Sequence, residues 1–434
     1  MTESSTPNAR PIGVDLFSGV GGLSLGFEQA GFDVAACVEI DPIHAAVHKY
    51  NFPRCATLCR SVTEVSGAEI RATADLGDRT VDVVFGGAPC QGFSMIGKRA
   101  LDDPRNQLVH HFVRIVVELK PDYFVFENVR GLTVGKHRRF LREIIEAFKG
   151  HGYDVLEPYR VLNAADYGVP QDRQRLFLIG CRKGLKLPAY PLARPAATVW
   201  DAIGDLPNAD DFEALLTGDS AKARFKKGSP YARRLRDIEA DPDDYSYARK
   251  FDRNQLTSSA RTVHTELSQS RFLGTEHGKT EPVSRFLKLN PNGVCNTLRA
   301  GTDSARGAFT APRPIHPTEP RVVTVREAAR LQSYPDWFRF HTTKWHGFRE
   351  VGNSVPPLLG RSVASSVMTA MNRKPTKPAE ILDRGDERLL GLGMSEAVAM
   401  FGLSKVPIAP RRRLAPPVLL PVRAGARGTA GCET

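Results

Sequence analysis

The sequence lacks long apolar runs, a cysteine framework and internal repeats. No stretch of its 434 residues approaches the roughly 18 apolar residues that span a bilayer, and the N-terminus has no signal-peptide-like apolar segment. The seven cysteines are odd in number and scattered, which argues against a disulfide scaffold. Cys55 and Cys59 stand apart from further Cys or His, so we expect no metal site. We therefore expect a cytoplasmic protein without a membrane partner.

Positive charge is present in excess. Lys and Arg number 60 against 48 Asp and Glu, which gives a formal net charge of +12. This balance favours a polyanionic partner such as nucleic acid, because each neutralised phosphate releases counterions. Part of the excess lies in one basic stretch, formed by Lys222, Arg224, Lys226, Lys227, Arg233, Arg234 and Arg236. A solvated mixed-charge surface would explain that stretch as well.

Apolar runs alternate with helical periods over the first 180 residues. The predicted strands are 12–17, 34–40, 81–85, 123–126 and 176–179, and the predicted helices are 23–30, 42–50, 109–119 and 138–148. Continuous apolar strands separated by amphipathic helices are typical of an α/β fold, with a doubly wound, mostly parallel sheet covered on both faces. Ligands bind at the carboxyl ends of the strands in such folds.

The composition divides the chain into four predicted segments. Residues 10–186 are expected to form the first part of a ligand-binding domain, and 187–320 a small irregular domain with short extended pieces at 284–289 and 294–298. Residues 321–372, with helices at 325–332 and 357–371, are expected to complete the first domain. The basic, Pro-rich segment 373–434 is expected to be largely disordered apart from one helical piece at 387–401.

A glycine-rich segment, DLFSGVGG, ends the first predicted strand and opens the first helix. Glycines let the backbone approach a ligand, and a helix N-terminus offers free amide donors. Ser24 stands where a dinucleotide fingerprint needs its third glycine, which disfavours NAD or FAD. Glu39 ends the second strand, where a carboxylate can accept hydrogen bonds from ribose hydroxyls. An adenosine cofactor without a pyrophosphate fits both observations, whereas a core role for Phe17 and a surface role for Glu39 are the simpler alternatives.

Two further strand ends carry reactive side chains. Cys90 follows the strand at 81–85 in the loop GGAPCQGFS, and Glu127 ends the strand YFVFE. If the two strands are neighbours, a thiol nucleophile and a proton donor project from one edge. Arg173 and Arg175 lie two residues apart, so on an extended chain they point to one face and could hold a carboxylate, a phosphate or a base edge. An inert cysteine and structural ion pairs remain the competing explanations.

The ordered motifs DLFSGVGG, VEID, GGAPCQGFS, ENV, QDRQR, VREAARLQSYPD and VGNSVPP resemble those of the DNA (cytosine-5) methyltransferases of the bacterial modification type. The resemblance covers about residues 12–183 and 320–370. It implies a Rossmann-like sheet that binds S-adenosylmethionine, with 187–320 as an inserted target-recognition domain. It also implies that Cys90 is the nucleophile, that Glu127 contacts N3 and the amino edge of cytosine, that Arg175 contacts the base near O2, and that Arg173 positions the catalytic loop or the cytosine. The implied cofactor residues are Phe17, Ser18, Gly19, Gly21, Gly22, Glu39, Ile40, Val62, Pro89, Leu108, Asn353, Ser354 and Val355.

The function implied by this resemblance is methyl transfer to C5 of a flipped cytosine in a specific double-stranded DNA sequence, through covalent addition of Cys90 to C6. The expected partners are duplex DNA and a cognate restriction endonuclease, and the expected state is a monomer associated with the bacterial nucleoid through DNA. A solitary modification enzyme is the alternative to a restriction-modification system. One departure is Ser61, which precedes Val62 where the family usually has an acidic residue, so the contact with the adenine amino group is in question.

Three rival interpretations remain. A tRNA-directed relative shares the Pro-Cys-Gln arrangement, but the long insert at 187–320 favours duplex recognition. A DNA-binding protein that has the fold but no catalytic turnover is disfavoured, because such a protein does not need the combination of Cys90, Glu127, Arg173 and Arg175. A nicotinamide oxidoreductase leaves the cysteine loop unexplained.

Overall fold

The computed structural model describes residues 9–89, 107–135, 137–301 and 313–407. Its N-terminal part consists of β1 (Ile12–Leu16), α1 (Gly22–Gln29), β2 (Asp33–Glu39), α2 (Pro42–Asn51), β3 (Ala56–Cys59), α3 (Gly67–Thr73), β4 (Val83–Gly87), α4 (Gln107–Leu119), β5 (Tyr123–Val129), α5 (His137–Gly150), β6 (Tyr153–Val155), β7 (Arg160–Asn163) and β8 (Gln174–Arg182). The predicted strands and helices are confirmed with small shifts at their ends. The sequence pattern did not predict β3, α3, β6 or β7.

Eight strands form one twisted sheet in the order β3-β2-β1-β4-β5-β8-β6, with β7 also paired to β8. The pairs from β3 to β5 are parallel, whereas β8 runs antiparallel to β5, β6 and β7. The predicted α/β class and the mostly parallel, Rossmann-like sheet are therefore confirmed. The order reverses between β1 and β4, which is where doubly wound sheets form ligand crevices.

Apolar side chains cover both faces of the sheet. On one face, α4 and α5 contribute an apolar cluster that includes Phe112, Ile144 and Phe148, and Phe124 of β5 stacks on Phe148 with ring centroids 3.8 Å apart. On the other face, α1 packs against the strands, and Phe27 stacks on Phe85 at 3.7 Å. This alternation along each strand explains why the strands are continuous apolar runs in the sequence.

The remainder of the described chain contributes eight further α-helices and four two-residue strands. In order these are α6 (Val199–Ile203), α7 (Ala214–Thr217), β9 (Ala221–Lys222), α8 (Pro230–Leu235), β10 (Ala248–Arg249), β11 (Gln255–Leu256), α9 (Glu266–Gly274), α10 (Val325–Leu331), α11 (Lys344–Asn353), α12 (Pro357–Ala370), β12 (Ile381–Leu382) and α13 (Met394–Met400). Helix α12 packs on α1, and Val199, Ile203 and Leu206 belong to the same apolar cluster as α1. The second region therefore shares a core with the sheet.

The pieces 284–289 and 294–298, expected to be short and extended, take part only in isolated bridges, such as Gln171 to Cys295 and Lys288 to Ile315. The prediction that 373–434 is largely disordered apart from 387–401 is wrong for residues 373–407, because β12 pairs with β10, and α13 together with the 3-10 helix Glu387–Leu390 packs on α2. Residues 408–434 lie outside the described residues. Apolar residues such as Leu390 and Ala397 bury this segment against the sheet domain despite its basic, Pro-rich composition.

In the parts of the chain that the structure describes, every helix is too short or too polar to cross a bilayer.

Candidate active site at the carboxyl edge of the sheet

The carboxyl ends of β1, β2, β4 and β5 meet at one edge of the sheet. Leu16 at the end of β1 pairs with Val38 on one side and Gly86 on the other. Gly87, the last residue of β4, pairs with Glu127 of β5. The strand before the cysteine loop is therefore the neighbour of the strand that carries Glu127, as the proposed juxtaposition requires.

Glu127 is buried at this edge beside Arg175. Arg175 of β8 pairs with Val129 of β5, which is two residues after Glu127 in the chain. Arg175 Nε lies 2.9 Å from Glu127 Oε1. A Cβ at position 87 would lie 2.3 Å from Glu127 Oε2, so only glycine lets β4 pass this close to the carboxyl group. Burial raises the pKa of Glu127, and the charges of Arg175 and Arg173 offset this rise only in part. The site thus favours a protonated carboxyl group more than an exposed glutamate would.

Arg173 does not offer a second free guanidinium. It is almost completely buried, and its two terminal nitrogens donate to Leu298 O at 2.7 Å and to Gly352 O at 2.8 Å. Its charge still acts on Glu127, but its hydrogen bonds tie the start of β8 to two distant segments. The geometry suits a positioning residue rather than one that grips a ligand.

The loop after β4 is held at its start. Asn128 Nδ2 donates to Ala88 O at 3.0 Å, and Pro89 is exposed at the end of the first described range. The proposed nucleophile, Cys90, lies outside the described residues, as do 91–106. In the chain, it follows three residues after Gly87, the strand partner of Glu127.

The glycine loop after β1 is built on an unusual backbone. Phe17 has φ 62°, a left-handed conformation that costs a non-glycine residue energy and that often occurs at functional sites. Gly19 N donates to Glu39 Oε2 at 2.7 Å, and Asp41 N donates to Oε1 at 2.8 Å. Burial raises the pKa of Glu39 despite these bonds. Glu39 therefore shapes the loop, and each of its oxygens keeps a lone pair for a further donor.

The residues directly after α11, Ser354 and Val355, lie against the glycine loop. A Cβ at position 22 would lie 2.4 Å from Val355 O and 3.0 Å from Ser354 Cβ, so Gly22 permits this contact. Gln332, just after α10, donates to Ser354 O at 2.8 Å and holds the turn in place. Ser354 and Val355 therefore lie against Gly22 of the glycine loop.

The other predicted cofactor residues lie around the same edge. Val62 is buried in the apolar cluster of α4, and Phe17 and Leu108 pack against that cluster while remaining half-buried. Ile40 is 38% exposed, which is unusual for a residue that follows a buried strand. Ser18 is buried, Asn353 is exposed, and Gly21 lies at the N-terminus of α1.

Sequence reasoning missed two buried networks near this edge. Gln171 Nε2 donates to Gln332 Oε1 at 2.7 Å, which links the QDRQR segment to the residue that holds Ser354. Behind the glycine loop, Cys55 lies beside Cys37 and His48, so the view that Cys55 is isolated from further Cys or His is wrong in space. No local spacing signal marks either network, because the partners are far apart in the chain or on different elements.

Comparisons with known proteins identify relatives over most of the chain. The family model for the C-5 cytosine-specific DNA methylase matches residues 13–369. The chain is 65% identical over 404 residues to the Type II methyltransferase M.XorII of Xanthomonas oryzae pv. oryzae, covering 93% of this chain and 95% of that protein. It is 35% identical to the Type II methyltransferase M1.HphI of Haemophilus parahaemolyticus, covering 82% and 86% of the two chains. An E. coli prophage protein assigned as a DNA modification methyltransferase superposes with a TM-score of 0.70 at 35% identity, over 84% of this chain and all of that one.

Proposed function

Because the chain belongs to the C-5 cytosine-specific DNA methylase family and is a DNA cytosine-5 methyltransferase, we propose that it transfers a methyl group from S-adenosylmethionine to C5 of a flipped cytosine in a specific duplex sequence. The observation that carries this proposal is the buried Glu127, with its raised pKa and its partner Arg175, at the strand edge that leads to Cys90. The Type II names of its relatives favour a restriction-modification context with a cognate endonuclease.

Glu127 acts as the proton donor at cytosine N3. Burial raises the pKa of Glu127, which favours the protonated form more than in an exposed glutamate, so the carboxyl group is better able to donate a proton as negative charge develops on the ring. Arg175 keeps the carboxyl group oriented through its Nε, and its remaining donors suit the O2 side of the base. Arg173 positions both groups by fixing the start of β8 to Leu298 and Gly352.

Cys90 supplies the nucleophile in this proposal. Its thiolate adds to C6, forming a C–S bond and pushing electron density to C5, while Glu127 donates a proton to N3. After C5 has gained the methyl group, N3 returns its proton to Glu127, a base removes the C5 proton and the C–S bond breaks, which restores the ring and frees Cys90. The thiolate requirement demands a lowered thiol pKa or a base that acts in the complex.

The residues at the strand edge fit S-adenosylmethionine. Gly19 has open space where a Cβ would point, and Ile40 and Phe17 offer exposed or half-exposed apolar surface beside the free lone pairs of Glu39. Glu39 would hold ribose hydroxyls, and Ile40, Val62 and Leu108 would contact the adenine, with Ser18, Gly21, Pro89, Asn353, Ser354 and Val355 completing the site. When bound, this cofactor supplies the electrophilic methyl group.

Duplex DNA is the proposed macromolecular substrate. A stacked cytosine cannot present C6 to a thiol, so the base must leave the helix at a cost of a few kcal/mol. Residues 187–320 form the proposed target-recognition domain, and its basic side chains, such as Lys222 and Arg224, offset that cost through phosphate contacts. The recognised sequence follows from the groove contacts of that domain.

The central test combines methyl transfer with trapping. The wild-type protein is incubated with labelled S-adenosylmethionine and mixed-sequence duplex DNA, which is then digested and analysed for 5-methylcytosine. We expect transfer by the wild type, none by Cys90→Ala, severe impairment of Cys90→Ser, and unchanged transfer by the matched thiol control Cys181→Ser. Duplexes that carry 5-fluorocytosine should give a cross-linked species through Cys90. Transfer that persists in Cys90→Ala would refute the covalent mechanism.

A further inference from the structure

A cluster of potential metal ligands lies behind the glycine loop. It consists of Cys37 in β2, His48 in the last turn of α2 and Cys55 before β3, all buried. One donor atom from each lies within 4.8 Å of the other two, and Cys37 Sγ is 3.4 Å from His48 Nδ1. A tetrahedral zinc ion with bonds of about 2.0–2.3 Å separates its ligand atoms by roughly 3.5–4 Å. The three side chains are therefore near the spacing that one ion imposes.

The far side of the histidine is arranged as metal-bound histidines require. His48 Nε2 lies 3.0 Å from Ser24 Oγ, which in turn donates to Asp15 Oδ2 at 2.6 Å. When Nδ1 is the ligand, Nε2–H donates to Ser24, and the serine passes the polarisation to the carboxyl group. Asp15 is fully buried, and its Oδ1 has no hydrogen-bond partner among the described residues.

We propose that Cys37, His48 and Cys55 bind one Zn²⁺ ion, with a small ligand such as water in the fourth position. Soft thiolate ligands together with imidazole favour this ion over Mg²⁺ or Ca²⁺. Binding displaces the two thiol protons to solvent and leaves the imidazole neutral, so affinity rises with pH. The site is separate from the methyl-transfer chemistry, which uses Cys90.

The location gives the ion a structural role at the cofactor loop. A Cβ at position 21 would lie 2.4 Å from the Phe52 ring and 3.0 Å from His48 Cδ2, so the glycine loop rests directly on these side chains. An ion on Cys37, His48 and Cys55 ties β2, α2 and the segment before β3 together beneath that loop. Occupancy should therefore stabilise the folded protein, because the assembled ligand set exists only in the native state.

The test uses the full chain, reduced and freed of metal by a chelator, then titrated with Co²⁺ as a spectroscopic probe. We expect sulfur-to-cobalt charge-transfer absorption that saturates at about one ion per chain and is abolished by Zn²⁺ competition. Cys37→Ser, Cys55→Ser and His48→Gln should lose most of the band. Cys59→Ser removes a buried thiol outside the cluster and should keep it.

A measurement on the wild type guards against variants that fail to fold. Zinc-edge X-ray absorption of the Zn²⁺-loaded protein should report two sulfur ligands and at least one imidazole nitrogen, and Zn²⁺ should raise the thermal midpoint of unfolding of the wild type and of Cys59→Ser. A ligand shell of oxygen and nitrogen alone would overturn the proposal. So would a cobalt band that survives in both Cys37→Ser and Cys55→Ser but disappears in Cys90→Ser.

Discussion

Buried carboxyl groups behave in opposite ways in two regions of this enzyme. Around α10, each acid is matched by arginine: Arg321 makes two 2.8 Å bonds to Glu327, and Arg330 makes bonds of 2.6 and 2.7 Å to Asp336. Burial alone would raise the pKa of Glu327, yet Arg321 together with His316 and the backbone N–H of Thr324 outweighs it and lowers the pKa to about 2. At the carboxyl edge of the sheet, burial prevails, and the pKa of Glu127 is raised despite Arg175.

The difference separates groups that hold the structure from groups that can exchange a proton. Arg330 of α10 also donates to Ala202 O and to Asp205 Oδ1. These hydrogen bonds join the 187–320 region to the segment 321–372. In this network arginine lowers the pKa of Glu327 and of Asp336, so these two carboxyl groups stay ionised near neutral pH. A carboxyl group with too few partners is costly to the fold, but it retains a proton that chemistry can use.

The largest predicted effect is on catalysis, and it follows from removing the titratable group at position 127. Glu127→Gln preserves shape but cannot deliver a proton to N3, so we expect methyl transfer to fall by about 10²–10⁴-fold. Stability should change little or rise, because the raised pKa of Glu127 marks a buried acid that is costly to ionise. Single-turnover kinetics and urea unfolding of the same preparations measure the two quantities. The exposed control Glu64→Gln should alter neither.

A similar loss of activity and stability in Glu127→Gln would contradict this prediction, since it would mean that Glu127 acts through the fold. The pH profile provides a further check: the decline in wild-type transfer as Glu127 ionises at higher pH should disappear in the variant.

The second prediction concerns the paired carboxyl groups and arginines around α10, and it is tested by removing one arginine. Arg330→Met leaves Asp205 and Asp336 buried without their main partner, and we expect a loss of about 3–5 kcal/mol in the free energy of unfolding. Denaturant titration of each variant gives this value, with the exposed Arg388→Met as the control that should unfold like the wild type. If Arg330→Met lowers the free energy of unfolding no more than the control does, the hydrogen bonds of Arg330 do not stabilise the contact between the two regions.

Much of the sheet and its edge could be predicted from the sequence, because the strands are continuous apolar runs and their polar ends mark one edge. The individual roles of the side chains at that edge could not be predicted. Arg173 and Arg175 are equivalent by spacing, yet Arg173 is committed to carbonyls that lie 125 and 179 residues away in the chain. The cluster of Cys37, His48 and Cys55 has no motif spacing, since three different elements supply it. Long-range packing decides both.

The third prediction concerns a carboxyl group that lies outside both networks. Glu350 in α11 is buried, its Oε2 accepts a bond from His341 N at 2.9 Å, and burial raises its pKa from 4.5 to about 7. Its contribution to stability is present below pH 4.5 and is lost as pH rises through about 7. Glu350→Gln keeps an acceptor for His341 and removes this titration. Unfolding free energies at pH 5 and pH 8 should therefore differ less in the variant, by up to about 3 kcal/mol. An unchanged difference would mean that Glu350 is already ionised at pH 5.

The smallest predicted effect adds a carboxylate at Ser61, where the motif resemblance leads us to expect an acidic residue. Ser61 Oγ accepts a bond from Thr63 N at 3.2 Å, a role that an aspartate oxygen can also fill. Ser61→Asp should therefore preserve the turn and offer an acceptor to the adenine amino group, tightening S-adenosylmethionine binding about fivefold, or about 1 kcal/mol. Calorimetric titration measures the dissociation constant, and Ser61→Asn separates the acceptor from the charge. Equal tightening by both variants would assign the gain to the hydrogen bond, and no tightening by Ser61→Asp would place the adenine away from residue 61.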